Sequence, residues 1–76
     1  MASAAAELVA FIAKGLVSHP EEIQVRESDG GRLLELETNP DDRGRVIGRQ
    51  GRVAKAMRAL LAASRHGAQC RLDIVD

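Results

Sequence analysis

The sequence predicts an α+β fold in which a three-stranded sheet packs against three helices. Apolar residues recur at helical spacing in two long segments, and they alternate with polar residues in three short segments. A third observation is a pair of glycines, Gly48 and Gly51, between the last two helical segments. The elements therefore follow the order helix, strand, strand, helix, helix, strand, and the apolar face of the sheet packs on the helices in two layers.

The first predicted helix runs from Ser3 to near Ser18. Gly15 weakens this helix locally, and Pro20 prevents it from continuing because proline has no backbone N–H to donate. Residues at the spacing of one helical face form its expected inner side, namely Ala5, Leu8, Val9, Ile12 and Leu16.

Two strands joined by a tight turn are predicted to follow. Residues 23–27 and 32–38 alternate apolar and polar side chains, with Leu34 and Leu36 in phase on the apolar side. Asp29-Gly30 lies between them, and an Asp-Gly pair between alternating segments is a strong hairpin signal.

A short helix is predicted from Pro40 to about Val46. Asn39 can cap its N-terminus, Pro40 suits the first helical position, and the carboxylates of Asp41 and Asp42 meet the positive end of the helix dipole. The two acids are adjacent in sequence and do not share one helical face, which favours capping over acid–base catalysis.

The last predicted helix begins after Gly51, and a final strand follows it. Gly67 suits the C-terminal cap of this helix, and Cys70 is expected to be a small buried hydrophobe in the strand, in phase with Leu72 and Ile74. The expected inner face of the helix consists of Val53, Ala56, Met57, Leu60, Leu61 and Ser64, and its outer face carries Arg52, Lys55 and Arg58.

Length and composition limit the class of protein. A chain of 76 residues has room for one domain, expected to span residues 1–76. Cys70 is the only cysteine, which excludes an intramolecular disulfide and a cysteine-built zinc site. Neither His19 nor His66 has ligand partners at metal-site spacing. The sequence shows no secretory signal or membrane span, so we expect a cytoplasmic protein.

Charge is unevenly distributed along the chain. Residues 1–42 carry three basic and nine acidic side chains, whereas residues 43–71 carry eight basic side chains and no acidic ones. Such a segment is either a solvated helix surface or a face that binds a polyanion. The glycine pair lies inside it and precedes a helix N-terminus, where free N–H groups favour an anion. This coincidence favours phosphate binding.

The run Val46-Ile47-Gly48-Arg49-Gln50-Gly51 resembles the signature of KH domains, in which a Gly-x-x-Gly loop joins two helices. The order of elements resembles the type II KH arrangement. Along essentially its whole length the chain is similar to the KhpA family of small bacterial single-KH RNA-binding proteins.

The resemblance implies roles for individual residues. Gly48 and Gly51 would shape the loop, and Arg49 and Gln50 would project from it toward phosphates and sugars. Charge-assisted contacts would come from Arg45, Arg52 and Lys55. The apolar floor for the bases would consist of Ile47, Val53 and an aliphatic side chain of the middle strand such as Leu34 or Leu36.

The resemblance also implies a non-catalytic function. A KH site holds about four nucleotides of single-stranded RNA, so a second KH domain would raise avidity. Family members self-associate and pair with a larger KhpB (Jag/EloR)-type KH protein. That pair acts as a global RNA binder or RNA chaperone, a post-transcriptional role linked to cell shape and division. No cofactor, metal, membrane or small-molecule substrate is expected.

Two other functions compete with RNA binding. The first is a protein–protein adaptor or dimerisation module with a lapsed RNA site, which would need neither the glycine pair nor the basic side chains. The second is an enzyme acting on a phosphorylated small molecule, but no Walker-type lysine follows the loop and no nucleophile has a base. For Val53, base contact, core packing and subunit contact all remain open.

Overall fold

The computed structural model describes residues 3–65 and 68–75. Within these residues the chain forms three α-helices and three strands in the predicted order. Their bounds are α1 Ala4–Lys14, β1 Gln24–Ser28, β2 Leu33–Glu37, α2 Arg43–Ile47, α3 Arg52–Ala63 and β3 Arg71–Ile74. The predicted α+β fold, with its type II KH-like order, is confirmed.

The sheet is mixed, with β2 in the centre. β1 runs antiparallel to β2 and places Val25 opposite Leu36, whereas β3 runs parallel to β2 and places Leu72 opposite Leu34. Parallel neighbours need a crossover connection, and α2 and α3 together form it. The two helices therefore lie on the face of the sheet that carries these aliphatic side chains.

The predicted hairpin between β1 and β2 is confirmed. Its turn spans Asp29–Gly31, and Asp29, Gly30 and Gly31 have φ angles of 54°, 66° and 86°. Three successive residues in the left-handed region reverse the chain, and glycine adopts that region without the steric cost of a Cβ. Each strand begins one residue later than predicted.

The core lies between the sheet and the three helices. Leu34 and Leu36 of β2 are 0% exposed, and Leu72 of β3 and Met57 of α3 are also buried. The inner side of α1 brings mainly small side chains to this core, namely Ala5, Ala6, Val9 and Ala13. Because alanine is short, the backbone of α1 approaches the sheet closely.

The end of α1 and its inner face differ from the prediction. The helix ends at Lys14, where the N–H of Gly15 is shared between the carbonyls of Phe11 and Ile12. Glycine is a poor helix former, so the helix stops there and does not continue toward Pro20. Leu16 lies beyond the helix and is exposed, so its predicted place in the core is wrong.

The inner face of α3 is rotated relative to the prediction. Ala54, Met57 and Leu61 are buried, whereas Ala56 is exposed and Leu60 is 53% exposed. The small side chain of Ala54 lies on the buried side of the helix. The apolar stripe of α3 is wider than the surface that the sheet covers, and periodicity alone does not show which edge remains outside.

The last strand begins after Cys70, which is half-buried and donates a hydrogen bond from Sγ to the carbonyl of Gly31 at 3.4 Å. The prediction that Cys70 lies within the strand is therefore wrong, although Leu72 and Ile74 follow the predicted alternation. The predicted cap Gly67 and its neighbour His66 lie outside the described residues. None of the helices in the described part of the chain has the length and apolarity needed to cross a membrane.

Candidate functional site

The glycine loop reverses the chain between α2 and α3 in a few residues. Gly48 ends α2 with φ 79° and ψ 167°, and its carbonyl accepts a hydrogen bond from the N–H of Gly51 at 3.0 Å. Gln50 and Gly51 follow with φ angles of 57° and 75°. Three residues with positive φ within four positions make a tight loop that is held by its own hydrogen bond. Gln50 is not a glycine, and backbone strain at such a residue is typical of functional loops.

Gly48 and Gly51 have different structural roles in the loop. A Cβ on Gly48 would lie 2.5 Å from Cγ2 of Val53, so position 48 requires glycine for its φ angle and for the close packing beneath the loop. At Gly51 nothing lies within 4 Å of the place a Cβ would take. The backbone at Gly51 is therefore open to an approaching ligand at the N-terminus of α3.

Basic and amide side chains surround this opening. Arg49 and Gln50 are exposed at the tip, and Arg52 and Lys55 are exposed on the first turn of α3. Nη2 of Arg52 donates to Oε1 of Gln50 at 3.4 Å. Since residues 43–71 contain no acidic side chain, no carboxylate from this segment offsets the positive potential.

Arg45 lies apart from these groups on α2. Its guanidinium is exposed, and Nη1 donates to the hydroxyl of Ser18 at 2.8 Å. A guanidinium has five N–H donors, so this bond leaves others for a phosphate. Arg49, Gln50, Arg52 and Lys55 are thus exposed at the loop and the first turn of α3, whereas Arg45 is exposed on α2 and bonded to Ser18.

The predicted apolar floor is only partly present. Ile47 is 37% exposed next to the loop, and Val53 is half-buried and packs against the core and Gly48. Leu34 and Leu36 are fully buried by the helices that cover β2, so neither can offer a surface to a base, and that expectation is wrong.

Arg58 makes a contact that the sequence did not predict. Its Nε donates to the carbonyl of Leu72 at 3.0 Å, which places the guanidinium along the outer edge of β3. The parallel register leaves the Leu72 carbonyl pointing away from β2, where it is available to α3. No local pattern links these residues, because they are 14 positions apart.

The acidic pair before α2 behaves differently from the prediction. Asn39 caps as expected, with Oδ1 accepting from the N–H of Asp41 at 2.8 Å. Asp42, however, is 2% exposed and turns toward the segment after α1. Its Oδ1 accepts from the N–H of Ser18, and its Oδ2 accepts from the N–H of His19 and contacts Nδ1 of His19, all at 3.0 Å. We call Asp42, Ser18 and His19 the Asp42 anchor.

The Asp42 anchor shifts two titrations in opposite directions. The hydrogen bond from the N–H of Ser18 is the largest influence that lowers the pKa of Asp42, and the bonds from His19 add to it. The bond to Asp42 is in turn the largest influence that raises the pKa of His19, and Glu21 and Glu22 contribute in the same direction. Both groups therefore favour their charged forms in the folded chain.

The chemistry available at the loop is the binding of an anion. Among the described residues, no three His, Cys, Asp or Glu side chains converge on a point where a metal ion could be held. The site offers the N-terminus of α3 and several exposed cations, which together suit successive phosphates of a polymer.

Two helices joined by a Gly-x-x-Gly loop beside a three-stranded mixed sheet define a KH-like module. Residues 6–74 match the family model described as the KH domain of KhpA and KhpB. Since this match covers most of the chain, the chain belongs to the KhpA/KhpB KH-domain family, which is a non-enzymatic family.

The chain is also similar to proteins named RNA-binding protein KhpA in several bacteria. The relative in Leifsonia xyli subsp. xyli is 45% identical over 93% of this chain and 96% of its own length. The relative in Halalkalibacterium halodurans is 49% identical over 91% and 96%. The relative in Treponema pallidum is 46% identical over 92% of both chains. No solved structure matches the chain.

Replacing Gly48 with alanine will destabilise the fold. The new Cβ would clash with Val53, and the alanine would be forced to adopt the positive φ angle of this position. We expect a loss of about 1–3 kcal/mol in the free energy of unfolding, measured by urea denaturation followed by circular dichroism. Gly44→Ala is the matched control, since Gly44 lies in α2 with open space around it. That variant should gain up to about 1 kcal/mol. Equal stabilities of the two variants would contradict the packing argument.

Folding stability is expected to pass through a maximum between the titrations of the Asp42 anchor. The contribution of His19 is fully present below its ordinary pKa of 6.5 and is lost as the pH rises through the raised value. The contribution of Asp42 is present above its ordinary pKa of 3.8 and is lost as the pH falls through the lowered value. Urea unfolding of the wild type at a series of pH values measures both losses.

His19→Gln should flatten the alkaline decline, and Asp42→Asn should reduce the acidic decline. His66 is present in every one of these proteins, so its titration cancels in the comparison. An alkaline decline of the same size in His19→Gln would contradict the coupling between His19 and Asp42.

Proposed function

We propose that this chain is a cytoplasmic, non-catalytic RNA-binding protein that acts as one KH domain over residues 1–76. Its loop from Gly48 to Gly51 clamps the backbone of single-stranded RNA. The observation that supports this proposal most strongly is the open backbone at Gly51, at the N-terminus of α3 and within a segment free of acidic residues. The names of the KhpA relatives add support.

In this proposal the phosphates meet the loop and the basic side chains beside it. Arg49 and Gln50 contact phosphates and sugars from the loop tip, and the exposed cations flank the strand of RNA. These cations are Arg45, Arg52 and Lys55. Bases rest on Ile47 and on the exposed edge of Val53. If roughly three to four phosphates are neutralised, the slope of log affinity against log salt is about −2 to −3.

A second KH domain would supply the avidity that one small site lacks. The side of α3 that the sheet leaves uncovered supports such pairing, since Leu60 and Ala56 are exposed there next to half-buried Val53. We propose a homodimer and a heteromer with a KhpB (Jag/EloR)-type KH protein. The physiological role in this proposal is that of an RNA chaperone or post-transcriptional regulator linked to cell shape.

Changing Arg49 and Gln50 together to aspartate should weaken RNA binding by at least about tenfold, because two carboxylates would face the phosphates. Fluorescence anisotropy with a labelled single-stranded RNA measures the change. The matched control is the double change of Arg32 and Gln69 to aspartate, which alters composition and charge equally. Both control residues are exposed, and Arg32 precedes β2 at the end of that strand remote from α2.

The control variant should bind RNA within about threefold of the wild type, with the residual change reflecting net charge alone. Equal affinities for the two double variants would contradict the loop as the clamp. A wild type that does not bind RNA would favour the adaptor function.

Pairing through α3 predicts that Leu60→Asp lowers the mass measured by light scattering toward that of a monomer, because a buried charge at a contact is costly. Ala62→Asp is the control, since Ala62 is exposed and lies 200° around the helix from Leu60 at 100° per residue. A mass that Leu60→Asp leaves unchanged would count against this side of α3 as the contact.

A further inference from the structure

The helix that leads into the glycine loop is too short to hold its own position. α2 contains five residues, and an isolated helix of that length is not stable in water because nucleation is costly. Val46, the fourth of these residues, is fully buried and ties α2 to the core. Packing against α3 and contacts of polar residues at its N-terminal end together orient α2 about that point.

Asp42, the N-cap of α2, and Arg45, within α2, both form hydrogen bonds to the segment that contains Ser18 and His19. The buried carboxylate of Asp42 accepts the N–H groups of Ser18 and His19 and contacts the His19 ring. One turn later, the guanidinium of Arg45 donates to the Ser18 hydroxyl. Asp42 is 24 residues from Ser18 in sequence, so these bonds join the connection after α1 to the start of the crossover.

The loop is close to the Asp42 anchor in sequence and is joined to α2 by hydrogen bonds. Gly48 is six residues after Asp42, which corresponds to about 9 Å along a helix. The N–H of Gly48 donates to the carbonyl of Gly44 at 2.8 Å, and the carbonyl of Gly48 accepts from Gly51 at 3.0 Å. A tilt of α2 at its N-terminus would therefore move the loop and the first turn of α3 relative to each other.

Asp42 cannot act on a phosphate directly. Its carboxylate is almost fully buried and negatively charged, and its oxygens are occupied by donors from Ser18 and His19. Any influence of Asp42 on RNA binding must pass through the position of α2.

We propose that Asp42 is a positioning residue for RNA binding, which holds the Gly48–Gly51 loop in its binding geometry through Ser18 and His19. This inference rests on the proposed function. A loop held in place before the ligand arrives loses less conformational entropy on binding, so the affinity is higher than for a loop that samples other positions.

The proposal includes a dependence on the charge of His19. A protonated ring donates a charge-assisted bond from Nδ1 to Asp42, and a neutral ring donates a weaker one only when its proton is on Nδ1. The charged groups near this ring are Asp42, which precedes α2, and Glu21 and Glu22 of the turn that follows His19. Arg45 reaches the neighbouring Ser18. All three acids favour the protonated ring, so RNA affinity should fall as His19 loses its proton.

Asp42→Asn tests the proposal, with Asp41→Asn as the matched control. Both changes remove one negative charge, but Asp41 is exposed and the side chain of Asp42 holds the anchor. The probe is a fluorescein-labelled single-stranded RNA of about 12 nucleotides, long enough for a KH site of about four. Asp42→Asn should raise Kd by about fivefold to tenfold, and Asp41→Asn should change it by less than about twofold.

The salt dependence separates positioning from direct contact. If Asp42 acts through α2, the slope of log Kd against log salt stays as in the wild type, because the same phosphates are contacted once RNA is bound. A smaller slope in Asp42→Asn, or a Kd equal to that of the wild type, would overturn the positioning role. Either result leaves the proposed function intact if the wild type binds the RNA.

Hydrogen exchange tests the anchor independently of RNA. The amides of Ser18 and His19 should exchange faster in Asp42→Asn than in Asp41→Asn, and equal rates would overturn the anchor. A wild type that fails to bind the probe would remove the proposed function, and with it the positioning role, while these exchange rates would still show whether the anchor exists.

A second variant covers the case in which Asp42→Asn does not fold. His19→Gln removes one of the three contacts of the carboxylate and keeps those of the two backbone amides. In a background with His66 changed to Gln, affinity is measured between about pH 5.5 and about pH 8, where histidine titrates. The protein that keeps His19 should weaken as the pH rises and His19→Gln should not. Parallel profiles would overturn the dependence on His19.

Discussion

Parallel strands cannot be joined by a tight turn, so the chain between β2 and β3 must cross the face of the sheet that carries Leu34 and Leu36. This requirement determines most of the molecule. The crossover contains two helices in place of one, and both are tied to the core, α2 by Val46 and α3 by Met57. The loop is consequently held at both ends by helices that are packed on the core, while the space around Gly51 is open.

The glycine positions, the charge and the orientation of the candidate site come from different parts of the chain. Packing beneath the loop requires glycine at position 48, and access to the helix N-terminus is provided by the open position at Gly51. The charge comes from side chains that need only solvent exposure. The orientation of the loop depends on α2, whose polar contacts lie in the segment after α1. The candidate site thus rests on one long-range set of hydrogen bonds and one close glycine contact.

The features predicted correctly from the sequence are those that depend on residues adjacent in sequence. The hairpin follows from Asp29-Gly30 between alternating segments, the cap from Asn39 before Pro40, and the loop from its glycine pair. The errors concern which neighbour a residue meets across the fold. Periodicity located the apolar stripe of α3 but not the edge that stays outside, and it could not show that Leu36 is covered by helices. Likewise, the partners of Asp42 lie more than 20 positions away, where no local pattern indicates them.

The alanine-lined contact of α1 with the core limits the free energy that packing of this helix contributes to folding. Each methylene that a larger side chain would bury is worth about 0.8 kcal/mol, so three buried alanines contribute less to the stability of the fold than larger side chains would. A ligand that binds only the folded chain adds RT ln(1 + [L]/Kd), about 2.7 kcal/mol at a hundredfold excess over Kd. Proteases act on the unfolded fraction, so a ligand of this kind would also slow degradation of the chain.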